Sequence, residues 1–292
     1  MSSGELFLIP TPIGNLADIT LRALEILEKV DLVAAEDTRT AKKLFQRYRI
    51  TTPLLSLHDN SSPARLENLL ERLGRGEKVG LISEAGTPGI SDPGYRLITQ
   101  AADAGVRITP LPGPCAAITA LCAAALPLDA FHFAGFLPVK AGPARRRLEA
   151  LKEIEATLIF YESPRRLDAT LALLEEVLGD RPACVARELT KIHEEFLRMS
   201  LAQLRKLGKE REWRGEITLL VAGCDRKSRS RDPQTLAMEE EKLKELLADA
   251  SFGQGSSRRD LVERLSREFP ALKRRRIYEL VNAAASAERG SG

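Results

Sequence analysis

Short apolar runs that stop at loops rich in glycine, proline or charge recur along this chain, and stretches of helical period separate them. The run around which the rest is arranged is Lys78 to Tyr95, KVGLISEAGTPGISDPGY. Val79, Leu81 and Ile82 suit a strand buried on both faces, as in a parallel sheet. Glu84 to Gly94 cannot continue it: Pro88 and Pro93 remove backbone donors, while Gly86, Gly89 and Gly94 allow positive φ and close approach of the backbone to a ligand. Connections from strand to helix usually run about 2 to 6 residues, so this one is either an unusually long link or the wall of a binding site.

The same pattern predicts strands at Leu6–Ile9, Leu32–Ala35, Leu54–Leu57 and Val106–Leu111. Helices are predicted after them, over Leu21–Val30, around Lys42–Leu44, and over Pro63–Leu73, Tyr95–Ala104 and Cys115–Ala125. Strand and helix alternating in this way describe a doubly wound α/β domain over residues 1–125. After a linker at Leu126–Ala130, strands at Phe133–Gly135, Thr157–Tyr161, Cys184–Arg187 and Glu216–Val221 alternate with helices at Ala144–Ile154 and Arg165–Val177. They predict a second α/β domain over 131–224 that faces the first across a cleft. Glu194–Leu197 reads as an added antiparallel strand, its connection being too short for a parallel crossover. Asp225–Asp232 reads as an exposed linker. Three helices, Thr235–Ala250, Arg258–Glu268 and Leu272–Ala287, make a C-terminal module over 233–289, either helix-turn-helix-like or a packing appendage.

Composition narrows the class. No apolar stretch approaches the ~20 residues that span a bilayer, and Met1 to Leu6 lacks the basic and apolar regions of a signal peptide, so a cytoplasmic protein is expected. Cys115, Cys122, Cys184 and Cys224 show no disulfide or metal-ligand spacing and read as small core residues, and no metal site is predicted. The net charge of +3 lies entirely in residues 225–292, and Ser251–Arg276 within them carries +5. That is the footprint of a polyanion-binding segment, or else a solvated helix face.

Candidate chemistry collects where predicted strands end. Glu36-Asp37-Thr38-Arg39 places two carboxylates, a hydroxyl and a guanidinium at one such end; Asp37 or Thr38 can also cap the next helix. His58 is the one histidine beside a carboxyl at a strand end, a base or donor if it is not merely solvated. Neither GxGxxG after a strand, nor GxxxxGK[ST], nor GxSxG, nor HExxH is present. Spacing alone therefore yields a two-domain α/β protein with a cleft and a basic helical tail, and no reaction.

Seven segments taken together, TPIGNLADIT, AEDTRT, LISEAGTPGISDPGY, PLPGPCA, FAGFLP, FYESPRR and ARELTKIHEE, resemble in order one family over about residues 5–224. This is the bacterial small-subunit (16S) ribosomal RNA cytidine 2′-O-methyltransferases, of the tetrapyrrole methylase-like class. The resemblance implies two α/β domains with S-adenosylmethionine in the cleft between them, a homodimer, and 16S RNA of the small ribosomal subunit, in its decoding region, as partner. It implies donor contacts at Pro12, Ile13, Glu84, Thr87 (where many relatives carry Asp), Ile90, Gly113, Pro114, Tyr161 and Glu188. Asp37 or Glu36 would take or orient the ribose proton. Arg39, His58, Lys191 and the tail cluster Lys273, Arg274, Arg275 and Arg276 would meet RNA. A porphyrin or corrin-precursor methylase, and a non-catalytic ribosome-assembly protein that binds RNA, are the alternatives.

Overall fold

The computed structural model describes residues 4–58, 61–91, 94–225, 233–248 and 257–290. The chain divides into two compact units, Met1–Ala222 and Gly223–Gly292. Both sheets lie in the first.

Five parallel strands form the first sheet: β1 (Glu5–Leu8), β2 (Leu32–Ala35), β3 (Leu54–Ser56), β4 (Lys78–Ile82) and β5 (Arg107–Pro110), in the order β3-β2-β4-β1-β5. Successive side chains on each strand go to opposite faces, and both faces are covered. Phe7, Val33 and Ala35 meet α1 (Leu21–Lys29) and α2 (Thr38–Tyr48) through Leu27, Leu44 and Phe45. Leu6, Ala34, Val79 and Leu81 meet α3 (Pro63–Gly74) and α4 (Tyr95–Asp103) through Leu69, Leu73, Leu97 and Ala101. Helix starts are fixed locally: Thr20 accepts from Ala23 N–H and Asp37 from Arg39 N–H.

The second sheet contains β6 (Phe131–Phe136), β7 (Thr157–Glu162), β8 (Pro182–Arg187), β9 (Glu195–Ser200) and β10 (Ile217–Val221), in the order β6-β7-β10-β8-β9. Its directions are mixed. β6 and β7 are parallel, but β10 slots between β7 and β8 antiparallel to both, and β9 returns antiparallel beside β8. On one face Leu158, Phe160, Val185 and Leu219 pack on α6 (Ala141–Leu151), α7 (Leu167–Leu178) and α8 (Leu201–Gly208). On the other, Ile159, Cys184, Ala186 and Leu220 pack on the small side chains of α5 (Ala116–Ala123), which follows β5 of the first sheet. Helix α8 is absent from the hydrophobic pattern read above; its eight residues directly follow β9, and a capping box, Ser200 with Gln203, starts it. The cysteines divide. Cys184 and Cys224 are buried, whereas Cys122 is exposed on the outer side of α5 and Cys115 is half-buried at its start.

Among its described residues the second unit holds three helices, α9 (Pro233–Ala248), α10 (Arg258–Glu268) and α11 (Arg274–Gly290), around Leu243, Leu261, Leu265, Phe269, Leu272, Ile277 and Val281. Phe269 to Lys273 turn the chain between the last two, and Ala271 N–H donates to Glu239 Oε2 at 2.9 Å. Asp59 and Asn60 beside His58, Pro93, the linker beyond Asp225, the last two residues of the predicted helix Thr235–Ala250 and residues 251–256 of the basic segment lie outside the described residues. No helix among the described residues is long and apolar enough to cross a membrane.

Candidate active site

The site begins where the first sheet reverses its winding. From β1 the chain moves to one side, to β2, and from β4 it crosses to the other, to β5, so the loops after β1, β4 and β5 emerge side by side. They are joined to one another. Thr11 and Gly86 exchange two backbone hydrogen bonds of 2.9 and 3.0 Å, with Gly86 at φ +83°. Thr87 Oγ1 donates to the Pro114 carbonyl at 2.9 Å. Gly113 lies so close to Pro10 that a Cβ on it would stand 2.6 Å from that ring.

The opposite wall comes from the second sheet. Because β10 runs antiparallel to β7, Ile217 and Thr218 at its start pair with Glu162 and Tyr161 at the carboxyl end of β7. Tyr161 is braced edge-on by Phe133 and Phe136, at ring-centroid distances of 5.0 and 5.7 Å, and its Oη accepts from Ala117 N–H at 3.2 Å. The Glu162 carboxylate is buried, accepting from Thr170 Oγ1 at 2.6 Å and Ser163 N–H at 2.8 Å. A fourth loop, after β8, closes over the β1 loop: Asn15 N–H donates to Thr190 Oγ1 at 2.9 Å, and Gly14 leaves no room for a side chain against Thr190 and Lys191.

Between these walls is a cavity of about 420 Å³. Ile13, Ile90, Leu189, Phe136 and Tyr161 give it apolar and aromatic sides; Glu36, Glu84, Glu162 and Glu216 are its charged lining, and among the described residues no Lys, Arg or His lines it.

Of the residues singled out in the sequence, Ile13, Glu36, Glu84, Thr87, Ile90 and Tyr161 line this cavity. Pro12, Gly113, Pro114 and Glu188 lie in the loops behind it: Pro114 receives Thr87, and Glu188, at φ +52°, accepts from Glu216 N–H at 3.0 Å. Lys191 Nζ is held between Glu188 Oε1 at 2.9 Å and Glu216 Oε2 at 3.0 Å, which draws the Glu188 carboxyl below its ordinary pKa. Asp37 caps α2 and grips Arg39 with both oxygens, at 3.2 and 2.9 Å; these bonds hold its carboxyl down to about 2. Arg39 itself is exposed beside Asp37 and within the field of Glu84. His58 stands apart, in a small crevice between Leu57, Leu66 and Arg96. In the tail Arg276 pairs with Glu240 at 2.6 Å and with Glu279, Arg275 pairs with Glu279, and Lys273 and Arg274 are exposed. Gly215 to Thr218 line the cavity unforeseen. In an all-parallel sheet a strand's start lies at the far end from the site, and only the antiparallel setting of β10 brings these residues to it.

Residues 5–205 match the family model described as tetrapyrrole (corrin/porphyrin) methylases. The chain is 46% identical to "Ribosomal RNA small subunit methyltransferase I" of Micromonospora olivasterospora, over 97% of this chain and 88% of that one. It is 50% identical to the protein of the same name from Escherichia coli O157:H7, over 76% and 79%. The one from Synechocystis is 42% identical, over 95% and 97%. Among solved structures, diphthine synthase superposes with a TM-score of 0.60 at 15% identity, over 75% of this chain and 90% of that one. A cobalt precorrin-4 methyltransferase superposes at 0.58 and 18%, over 75% and 94%, which is a likeness of fold.

Tetrapyrrole methylases take their methyl group from S-adenosylmethionine. The cavity fits that donor on two counts. Its volume lies in the range of small-molecule sites, roughly 300–1,000 Å³. Its charged lining is entirely carboxylate, which suits a ligand whose sulfonium and ammonium outnumber its one carboxylate, and the aromatic pair Phe136 and Tyr161 offers a face for a purine. The donor carries no phosphate, which accounts for a nucleoside site without a glycine-rich phosphate loop. Matched by the family model over most of its length and by relatives 42–50% identical, the chain belongs to the ribosomal RNA small subunit methyltransferase I family of tetrapyrrole methylases.

Proposed function

We propose that this protein methylates small-subunit ribosomal RNA, and specifically the ribose 2′-oxygen of a cytidine in the decoding region of 16S RNA. The observation that carries the reading is the all-carboxylate cavity at the switch point, in a chain whose likeness to rRNA small subunit methyltransferase I continues through the helical tail. Bound there, S-adenosylmethionine supplies an already activated, electrophilic methyl group. The chain's own task is then to aim the acceptor oxygen, exclude water and receive a proton. Ile13, Ile90 and Leu189 shield the cavity from solvent, and Thr87 fixes the β4 loop against the β5 loop. Glu36 is the carboxylate placed to accept the ribose proton. Asp37, bound to Arg39 and ionised far below neutrality, orients that guanidinium beside the mouth. The working form is read as a cytoplasmic homodimer, as the class implies, and sedimentation velocity checks its mass.

Labelled methyl transfer to small subunits that lack the modification, followed by nuclease mapping, tests the reading. A single 2′-O-methylcytidine in the decoding region is the expected product. Label on a base, or label accepted by a porphyrin or corrin precursor but not by subunits, would overturn it.

A further inference from the structure

Neutrality of the first 224 residues hides a second cationic surface, on α2. From Thr38 to His58 the chain has no Asp or Glu, while Arg39, Lys42, Lys43, Arg47 and Arg49 give it five cations. Exposed cations on neighbouring helices face a carboxylate one turn away, as Lys29 does Glu25 on α1 and Arg75 does Glu71 on α3. On α2 they face each other. Arg39, Lys43 and Arg47 recur every fourth residue, forming a stripe about 12 Å long, and like charges at this spacing weaken a helix. Lys42, Lys43 and Arg47 are exposed and form no ion pair among the described residues; Arg47 rests over the Tyr48 ring at 5.7 Å. Beside the stripe is an open groove of about 670 Å³, rimmed by Lys42, Gln46, Arg49 and Thr51 over a floor that includes Phe45 and Ile50.

The placement gives this charge its meaning. Asp37, the residue after the cavity-lining Glu36, caps α2, and Arg39, the first cation of the stripe, lies within the field of Glu84, which also lines the cavity. The cavity itself, lined by carboxylates, repels phosphate. We infer that α2 is the docking track for the RNA strand flanking the target nucleotide: its phosphates run along Arg39, Lys43 and Arg47, and the groove beside Lys42 and Arg49 receives the strand's sugars and bases. A polyanion is what offsets Lys43 and Arg47, which stand one helical turn apart with no ion pair among the described residues, a step comparable with that between successive phosphates of an extended strand.

The inference rests on the RNA substrate proposed above, and its test separates the two. The variant is the triple change Lys42→Gln, Lys43→Gln, Arg47→Gln in the full chain; glutamine keeps helix propensity and none of the three touches the donor cavity, so an unchanged melting transition and S-adenosylmethionine affinity are expected. The probes are a labelled single-stranded RNA of decoding-region sequence, read by fluorescence anisotropy across salt, and methyl transfer to small subunits. Removing three cations, two of them on the phosphate track, should weaken RNA binding at moderate salt on the order of tenfold or more, flatten the log–log salt slope by about 1 to 2, and raise KM with kcat nearly unchanged. Equal affinity and slope for variant and wild type would overturn the inference while leaving the methylation reading in place. Loss of RNA binding in the variant, in a protein whose wild type methylates no ribosomal RNA, would uphold the track and overturn that reading. Patch-dependent binding to phosphatidylserine vesicles, with RNA binding independent of the patch, would also overturn it.

Discussion

Asp37 and Glu36 are adjacent carboxylates with different surroundings, and their variants should part accordingly. Asp37 accepts from the Arg39 backbone and grips its guanidinium, which lowers its pKa from 3.8 to about 2. At neutral pH it is a helix cap and an anchor, and a weak proton acceptor. Asp37→Asn keeps a capping oxygen and loses the charged grip. A carboxyl whose folded pKa is depressed stabilises the fold above its unfolded value and ceases to do so as pH falls through the folded one. The gap in Tm between wild type and Asp37→Asn should therefore be constant above pH 3.8 and close as pH falls toward 2. A gap independent of pH would mean that the pair adds nothing to stability. Glu36 faces the cavity, so Glu36→Gln should lower single-turnover methylation by about 100-fold and Asp37→Asn by less than about 10-fold. The reverse order, measured by rapid quench, would return the proton to Asp37.

At the scale of elements, the site depends on the seam between loops more than on any one donor contact. A side chain at Gly113 would run into Pro10, and the loop carrying Pro10 continues to Thr11, which is bonded to Gly86 of the β4 loop. Gly113→Val should thus cost about 1–3 kcal/mol of stability and donor affinity together, measured by thermal denaturation and calorimetry. Lost donor affinity with an unmoved transition would place Gly113 against the donor instead of against Pro10. Much of this was legible in the sequence. Val79 to Ile82 and Leu32 to Ala35 are read as strands because burial on both faces leaves unbroken apolar runs, and Gly86 betrays the loop by its backbone freedom. Strand direction left no such mark: Ile217 to Val221 is as apolar as a parallel strand, so the antiparallel β10, and with it Gly215 to Thr218 in the cavity wall, could not be read. Helix α8 escaped because its eight residues show too few apolar turns, although its capping box, Ser200 and Gln203, was visible. The cations of α2 were visible one by one and cancelled in the total, because charge summed over 224 residues discards the face on which it stands.

For the whole molecule, two cationic surfaces on separate compact units predict divided labour. The cores of the first unit are completed by Val221, and the helices of the second enclose their own core around Leu265 and Ile277. Truncation after Gly223 should therefore leave the first unit folded, with its S-adenosylmethionine affinity intact. RNA binding should weaken, because Lys273 and Arg274 are exposed near the start of α11, where side-chain cations and free backbone N–H groups together favour phosphate. Arg276 contributes less, its guanidinium being already engaged by Glu240 and Glu279. Because α2 remains, the truncated chain should keep a reduced but measurable salt dependence, and the triple glutamine change on α2 should remove most of what is left. Sites on different units that share no partner contribute nearly additively to the free energy of binding, so the two losses, as logarithms of affinity, should sum in the combined variant. Anisotropy titrations of wild type, truncation, triple variant and their combination give all four values. A truncated chain that methylates small subunits at the full rate at every salt concentration would assign the tail to packing alone, and loss on truncation of the dimer proposed above would point the same way.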